Sequence, residues 1–325
     1  MNILVTGATG FIGSHLVDKL LTKGHTVYCT KRKSSKTQWL SNKNIEWIDF
    51  DLFSPHETLI PSDIDIIYHS AGLVAARNEQ EYININAFSS VELANQALTQ
   101  TKDLKKFVYI SSQAAMGPSK SLKKPVTEAD QMNPITAYGR SKMIAENKLS
   151  EIKDLPYSIA SPSAVYGERD KAVLTIFQTT KYGIEAHIGR NDKYVSLVNV
   201  HDLVNGIILV GEKGKNSEKY FISSDEFYNW SYLLEEISKS LNKTNTIRIN
   251  LPHSIVFKLA TISEFLGKLS GSVPVFNKDK GIDITREFWT CSIQKAINDL
   301  NYKQQISIPD GFSQTVDWYK QHKWL

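Results

Sequence analysis

The amino-acid sequence predicts a doubly wound parallel α/β sheet followed by a smaller mixed α/β region. Three observations support this: apolar runs alternate with helix-period segments through the first half, a glycine-rich loop separates the first run from the first helix, and the alternation loosens after about residue 166. Such alternation builds a parallel sheet with helices on both faces. The 325-residue length suits about two domains, so we expect a first domain over residues 1–165 and a second region over residues 166–325 that shares some elements with it.

The runs that predict buried strands in the first half have the length and composition of strands rather than helices. They are Ile3–Thr6, Thr26–Thr30, Ile45–Ile48, Asp65–His69, Lys106–Ser111 and Tyr157–Ala160. The predicted helices between them are Phe11–Thr22, Glu81–Thr101 and Ala137–Ile152. In the second region, the predicted helices are Lys171–Tyr182, His201–Glu212, Trp230–Leu241 and Leu251–Phe276, the last as a cover for a pocket, and the predicted strands are Lys219–Ile222 and Thr246–Ile249.

Composition and charge exclude several classes of protein. Hydrophobic residues make up 41% of the chain, and 38 basic against 34 acidic residues leave a net charge of +4 from scattered lysines, which argues against nucleic-acid binding. Two cysteines, Cys29 and Cys291, cannot form a disulfide framework and suit a reducing compartment. The N-terminal apolar run breaks at Gly7, unlike a signal peptide, and no apolar stretch approaches the ~20 residues of a membrane span. We expect a cytoplasmic protein without a membrane span.

The first strand leads directly into a loop with three glycines at a spacing of GxxGxxG. Gly7 permits a tight turn, Gly10 lets main-chain N–H groups approach a pyrophosphate, and Gly13 allows close packing of helix on strand. Phe11 and Ile12 open the helix, whose N-terminus favours negative charge. The position of the loop between strand and helix predicts a dinucleotide-binding site.

This glycine spacing, together with Asp51-Leu52 after the third strand and His69-Ser70-Ala71-Gly72 after the fourth, resembles the extended, epimerase/dehydratase-like branch of the short-chain dehydrogenase/reductase superfamily. The resemblance covers nearly the whole chain and implies a Rossmann fold with a nicotinamide cofactor. It places the adenine beside Asp51 and the nicotinamide beside the segment that resembles R-P-x-x-V-Y-G-P. The cofactor contacts that it implies beyond the glycine loop are Asp51, Leu52, Ser70, Ala71, Gly72, Tyr138, Lys142, Pro162 and Val165.

The end of the second strand bears on the choice between NADP and NAD. An NAD site usually places a carboxylate there for the ribose 2′-hydroxyl, whereas this chain has Lys31, Arg32 and Lys33. Cations suit a 2′-phosphate, and arginine can engage it with a planar fork. We therefore expect NADP(H); if these cations are only a solvated loop, NAD(H) remains the alternative.

Three residues form the predicted catalytic group. Tyr138 and Lys142 are four apart at the start of a predicted helix and therefore share one face. A nearby ammonium is expected to lower the pKa of the tyrosine toward the working range of a general acid/base. Ser112 follows the fifth strand and is preferred over Ser111 because it stands five residues before Gly117, as in the family. The resemblance also implies that Lys142 contacts the nicotinamide ribose.

Departures from the family narrow the predicted reaction. Gln113-Ala114 stands where dehydratases of this branch carry Asp-Glu, so water elimination is not expected. The Arg-Asp-Phe run of nucleotide-sugar epimerases is absent before Val200-His201-Asp202, although Arg190, Lys193 or Arg248 could still bind phosphates. Ser161 and Glu168 replace the usual arginine and proline, which puts the ion pairs of that arginine in doubt.

The predicted function is hydride transfer between a nicotinamide cofactor and a secondary alcohol or ketone. Aromatic side chains favour an apolar substrate if some of them line the pocket. They are Tyr166, Phe177, Tyr182, Phe227, Tyr228 and Trp230, followed by the segment from Ile255 to Phe265. An NAD-dependent nucleotide-sugar epimerase and a non-catalytic dinucleotide sensor are the alternatives. His15, His69 and His187 lack a metal-ligand spacing, so no metal is expected. Dimerisation through helices 81–101 and 137–152 is common in the superfamily, which makes a homodimer an option.

Overall fold

The computed structural model describes residues 1–54, 59–270, 273–274 and 276–325. Its helices are α1 Phe11–Thr22, α2 Glu79–Ile83, α3 Ser89–Gln100, α4 Ala137–Ser150, α5 Leu174–Lys181, α6 Val200–Lys213, α7 Trp230–Ser240, α8 His253–Ser270, α9 Lys278–Thr285, α10 Gln294–Leu300 and α11 Ile308–Gln321. Its strands are β1 Asn2–Thr6, β2 Thr26–Lys31, β3 Glu46–Asp49, β4 Ile66–His69, β5 Lys106–Ile110, β6 Tyr157–Pro162, β7 Ala164–Tyr166, β8 Ile184–Ile188, β9 Tyr194–Val195, β10 Leu197–Asn199, β11 Glu218–Ile222, β12 Tyr228–Asn229, β13 Ile247–Leu251 and β14 Phe288–Trp289.

A seven-stranded parallel sheet organises the molecule, in the order β11-β6-β5-β4-β1-β2-β3. The chain runs outward from β1 to β3, then returns to the other side of β1 for β4 and continues to β11. The strand order therefore reverses between β1 and β4, and ligands of open α/β sheets bind beyond the carboxyl ends of the strands at such a point. The predicted doubly wound α/β fold is confirmed.

Side chains alternate between the two faces of the sheet, as the pleat requires. On β1, Ile3 and Val5 pack into one buried cluster with α1 and α6, whereas Leu4 packs into another with α3 and α4. Both faces of the strand are therefore buried against apolar side chains, which explains why the sequence of β1 is a continuous hydrophobic run.

The second half of the chain completes the sheet and adds smaller ones. β11 pairs with β6 as the seventh strand, and α6 packs against α1, β5 and β6. The smaller sheets are β10-β7, β12-β9-β14 and β13-β8, and a third apolar cluster joins α5, α7 and α11. Within the described ranges, none of the helices has the combination of length and apolarity that crossing a bilayer needs.

Two predicted helices differ from those in the structure. The predicted helix Glu81–Thr101 is interrupted by a π-helical turn at Asn84–Phe88, between α2 and α3. The predicted helix Leu251–Phe276 is α8, which begins at His253 and ends at Ser270; residues 271, 272 and 275 of that prediction lie outside the described residues.

Candidate functional site

The glycine loop lies at the point where the strand order reverses. Gly7 has a φ of +68°, and a Cβ there would lie 2.7 Å from the Ala71 main-chain nitrogen, so the loops after β1 and β4 touch. A Cβ at Gly13 would lie 2.2 Å from the Gly7 carbonyl oxygen. A Cβ at Gly10 would meet only that oxygen, at 3.2 Å, so the outer side of the loop is open. No side chain caps the N-terminus of α1, and its first turn contains no acid. This open cradle of main-chain N–H groups fits a dinucleotide pyrophosphate.

Hydrogen bonds that involve a buried histidine, His69, hold the loop after β4 in place. Ser90 Oγ donates to the Asn86 carbonyl at 2.8 Å and therefore accepts from His69 Nε2 at 2.7 Å. His69 Nδ1 then accepts from Thr6 Oγ1 at 2.6 Å, and Thr6 Oγ1 accepts from the Ala71 N–H at 3.2 Å. Burial lowers the pKa of His69 to about 3, so the ring is neutral. This chain of hydrogen bonds fixes the Ser70-Ala71-Gly72 loop against the glycine loop.

The ends of β2 and β3 lie side by side, where the adenosine end of the predicted cofactor would be. The Phe50 N–H donates to the Lys31 carbonyl at 3.0 Å, which brings Asp51 and Leu52 next to Lys31 and Arg32. The Lys31 ammonium lies 5.2 Å from the centroid of the Trp47 ring, whereas Arg32 is exposed. Of these two predicted cations, Arg32 is the freer to meet a ligand.

Helix α4 carries the predicted tyrosine and lysine, and its N-terminus is held from two directions. Thr136 Oγ1 accepts from the Gly139 N–H at 3.0 Å, as an N-cap. Asp279 of α9 accepts from the Ala137 N–H at 2.8 Å and from the Tyr138 N–H at 3.4 Å. A carboxylate is favourable at a helix N-terminus. The second region of the chain therefore helps to position Tyr138.

The predicted catalytic residues come together, and their electrostatics differ from the expectation. Burial raises the pKa of Tyr138 to about 12, partly offset by a hydrogen bond with the Ser112 side chain. Lys142 is buried, donates to the Ile110 carbonyl at 2.9 Å, and lies 4.6 Å from the centroid of the Tyr109 ring. Burial lowers the pKa of Lys142 to about 8. Burial, rather than the lysine, therefore governs the pKa of Tyr138, and the phenol is protonated at neutral pH.

The neighbouring serine has a different role. Ser111 Oγ donates to Glu146, and Glu146 also forms an ion pair with Lys219, whose side chain is mostly buried. This network lies beneath α4 and joins it to β5 and β11. The Ser111 hydroxyl is therefore engaged by Glu146, whereas the Ser112 side chain contacts Tyr138.

Asn86, which the sequence analysis missed, braces the site. Its Oδ1 accepts from the Leu73 N–H at 2.7 Å, and its Nδ2 donates to the Leu73 carbonyl at 3.0 Å and to Ser141 Oγ at 3.0 Å. It belongs to the π-helical turn, and such turns are frequent at functional sites. A Cβ at Gly72 would lie 2.9 Å from Asn86 Oδ1 and 3.6 Å from Lys142 Nζ. The only sequence signal was an asparagine inside a helical pattern.

The segment that resembles R-P-x-x-V-Y-G-P occupies the end of β6 and β7. Pro162 ends β6 opposite Ile222, and Val165 on β7 is opposite Val198. Ser161, which replaces the usual arginine, is fully buried, and its Oγ has no hydrogen-bond partner among the described residues.

The structure corrects the proposed aromatic pocket. Tyr166, Phe177 and Tyr228 are buried in the third apolar cluster against α11, and Tyr182 is exposed. Trp230 Nε1 donates to the Ala186 carbonyl at 3.0 Å. Tyr166, Phe177 and Tyr228 are therefore core residues, because the cluster that they join includes α11.

A cavity of about 560 Å³ lies between the end of β8, the start of α8 and Glu287, and Arg190 and Lys193 line it. Lys193 is not a free cation, because its Nζ donates to the carbonyls of Thr285 and Arg286 at 2.9 and 3.0 Å. Of the two, Arg190 is the one left exposed for a phosphate.

One histidine cluster was not foreseen. His15, Glu168 and His201 bring potential ligand atoms within 4.8 Å of one another. However, His15 Nε2 is hydrogen-bonded to the Glu168 carbonyl at 2.9 Å, and burial and the nearby Arg169 lower the pKa of His15 to about 4. The cluster ties α1 to the loop after β7, so we assign it no metal.

The fold and this site define a dinucleotide-binding protein of the doubly wound α/β class. The NAD dependent epimerase/dehydratase family profile matches residues 3–223, and the chain belongs to this family.

Its relatives have diverse names. It is 23% identical to a ceramide reductase of Caulobacter vibrioides, covering 99% of this chain and 96% of the relative. It is 24% identical to a decarboxylating sterol-4-alpha-carboxylate 3-dehydrogenase of Dictyostelium discoideum, covering 96% and 99%. Among solved structures, a UDP-glucuronic acid 4-epimerase of Bacillus cereus in complex with UDP-glucuronic acid and NAD superposes with a TM-score of 0.76 at 26% identity, covering 99% of this chain and 100% of that one.

Proposed function

We propose that the chain is an NAD(P)-dependent oxidoreductase of the extended short-chain type, which transfers a hydride between a nicotinamide cofactor and a secondary alcohol or ketone. The observation that carries the proposal is the contact of the Tyr138 phenol with the Ser112 side chain, on a helix that carries Lys142 one turn further along. This group lies beside the glycine cradle, at the carboxyl ends of the central strands.

The cofactor supplies or accepts the hydride when bound. The loop at Gly7 and Gly10 would hold its pyrophosphate, with Gly13 packing α1 against that loop. Arg32 would meet a ribose 2′-phosphate, so NADP(H) is the preferred form, and Lys142 would bond the nicotinamide ribose. At the substrate, Ser112 hydrogen-bonds the carbonyl oxygen and Tyr138 gives its proton to that oxygen as the alcohol forms. Because burial raises the pKa of Tyr138 to about 12, the phenol carries a proton at neutral pH that it can donate to that oxygen.

An apolar ketone or alcohol is the proposed substrate class. The two sequence relatives named above are, by name, enzymes of a ceramide and of a sterol carboxylate. Of the two cations that line the cavity, Lys193 is held by main-chain carbonyls, which leaves only Arg190 for a nucleotide phosphate.

The variant Tyr138→Phe tests the proposal. It removes one oxygen and no packing volume, so we expect turnover of ketone substrates with NADPH to be lost while NADPH affinity stays within a few-fold. Tyr182→Phe is the matched control, because Tyr182 is exposed, and it should retain full turnover. Normal turnover in Tyr138→Phe would remove this residue from the mechanism.

A nucleotide-sugar epimerase is the second candidate, favoured by the similarity to the UDP-glucuronic acid 4-epimerase over almost the whole chain. Such an enzyme recycles a tightly held NAD. Mass spectrometry of nucleotide extracted from the purified protein separates the two: protein that is empty, and then prefers NADPH to NADH, supports the reductase, whereas retained NAD supports the epimerase.

A further inference from the structure

Helix α8 exposes a continuous apolar stripe. Its members are Ile255, Leu259, Ile262, Leu266 and Leu269. They are spaced alternately four and three residues apart, so they form one row along the helix. Their exposed fractions rise from 41% at Ile255 to 71% at Leu269. Exposed apolar surface of this extent and regularity marks an interaction site.

The opposite side of α8 attaches the helix to the rest of the protein. Val256, Ala260 and Gly267 are buried. They are four and seven residues apart and therefore form a narrow buried row along the helix. Gly281 of α9 faces the Phe257 ring, where a Cβ would lie 3.4 Å from the ring carbons. Since the carboxylate of Asp279 on α9 holds the N-terminus of the catalytic helix, α8 is one helix away from the helix that carries Tyr138.

The stretch of sequence that contains the stripe has a positive net charge. Six basic and three acidic residues lie between Ile247 and Arg286, so this stretch carries three of the chain's four net positive charges. The acids are engaged within the protein. Glu264 accepts from the Lys278 N–H at 2.8 Å and pairs with its ammonium at 3.8 Å, and Asp279 caps α4. Asp283 lies 3.9 Å from the Lys280 ammonium. Lys258, exposed on α8 itself, adds a cation beside the stripe.

We propose that α8 lies in the headgroup region of an anionic lipid bilayer, with its apolar stripe among the acyl chains and the surrounding cations on lipid phosphates. An apolar helix face with a cation beside it, within a stretch of positive net charge, is typical of helices that lie in a membrane interface. A second copy of the chain fits this surface less well, because a two-fold contact would place two such positive stretches against each other. That the bilayer also supplies the substrate rests on the proposed function; the docking itself does not.

Flotation of the full chain with vesicles tests the docking. We expect binding to phosphatidylglycerol-containing vesicles, weaker binding to pure phosphatidylcholine, and release at about 0.5 M salt, where charges are screened. The variant Leu259→Glu/Leu266→Glu should bind the anionic vesicles at least about tenfold more weakly. Burying each leucine side chain among the acyl chains should raise the binding constant by more than about tenfold. Leu59→Glu, at an exposed leucine outside α8, is the matched control and should bind normally. Turnover of a water-soluble ketone, measured in parallel, reports on the proposed function independently of docking.

A probe on the stripe provides a second readout that does not depend on the charged variant. The two native cysteines are buried and burial raises the pKa of each thiol to about 12, so Ile262→Cys can be labelled selectively with the fluorophore NBD. Its emission should brighten and shift to the blue with anionic vesicles. Unchanged emission and no flotation would overturn the proposal. A dimer in sedimentation that the double variant dissociates, without vesicle binding, would overturn it in favour of a second copy.

Discussion

Gly10→Ala separates the cofactor role of the glycine loop from its structural role. The backbone at Gly10 has a φ of −81° and a ψ of −179°, which alanine adopts without strain. The added Cβ would meet only the Gly7 carbonyl oxygen at 3.2 Å. Because alanine is a poorer N-cap than glycine, we expect a loss of about 1 kcal/mol in the free energy of unfolding.

Cofactor affinity should fall much further. If the pyrophosphate packs against the open side of Gly10, the methyl group overpacks that contact at a cost of about 1–3 kcal/mol, which is roughly a 5- to 150-fold rise in Kd. Isothermal titration with NADPH measures this change, and urea unfolding of the same sample measures stability. A folded Gly10→Ala protein with unchanged NADPH affinity would refute the placement of the pyrophosphate.

Gly13→Ala is the matched comparison. Its Cβ would lie 2.2 Å from the Gly7 carbonyl oxygen and 2.8 Å from the Gly7 carbonyl carbon. Main-chain atoms cannot yield as a flexible side chain can, so we expect a loss of about 3 kcal/mol or more in the free energy of unfolding. If Gly13→Ala were as stable as the parent, the close packing of α1 on the loop would be wrong.

Three further predictions concern charged groups near the site. Lys219→Met leaves Glu146 buried without its cation, so the free energy of unfolding in urea should fall by about 3–5 kcal/mol. Adding Glu146→Gln should restore most of this loss. A loss below about 1 kcal/mol would mean that the ion pair is solvated. Burial lowers the pKa of Lys142 to about 8, so kcat/KM should fall as pH rises through that value, and a flat pH profile would exclude its ammonium from catalysis. Burial raises the pKa of Asp283 from 3.8 to about 6, so its proton stabilises the fold at low pH and this contribution is lost as pH rises through about 6. Asp283→Asn should therefore be more stable than the parent at pH 8 by about 3 kcal/mol and equal to it below about pH 4, as thermal unfolding at the two pH values would establish.

Local patterns were sufficient to predict the sheet and the position of the glycine loop. β1 is apolar on both faces, and three glycines at the required spacing follow it directly, so short-range chemistry determines that turn. Tyr138 and Lys142 were selected from their spacing of four on one helix, whereas Ser112 was preferred over Ser111 because of the family resemblance, and their catalytic roles stay predictions.

Features that depend on contacts distant in the chain could not be predicted. Asp279 is 142 residues beyond Ala137 in the chain and accepts a hydrogen bond from the Ala137 N–H. No local sequence pattern predicts this contact. For Tyr166 and Phe177, composition could not decide between a place in a pocket and a place in the core, because their burial depends on packing against α11 near the end of the chain. The raised pKa of Tyr138 depends in the same way on residues that pack around it only in the finished fold.

The carboxylate of Asp279 couples α9 to the start of α4, the helix that carries Tyr138. Exchanging the segment around α9 for that of a relative would therefore also change what holds the N-terminus of α4. Divergence of this segment is therefore restricted to sequences that keep a hydrogen-bond acceptor at this position. Engineered chimeras should place their junctions so that α4 and α9 come from the same parent.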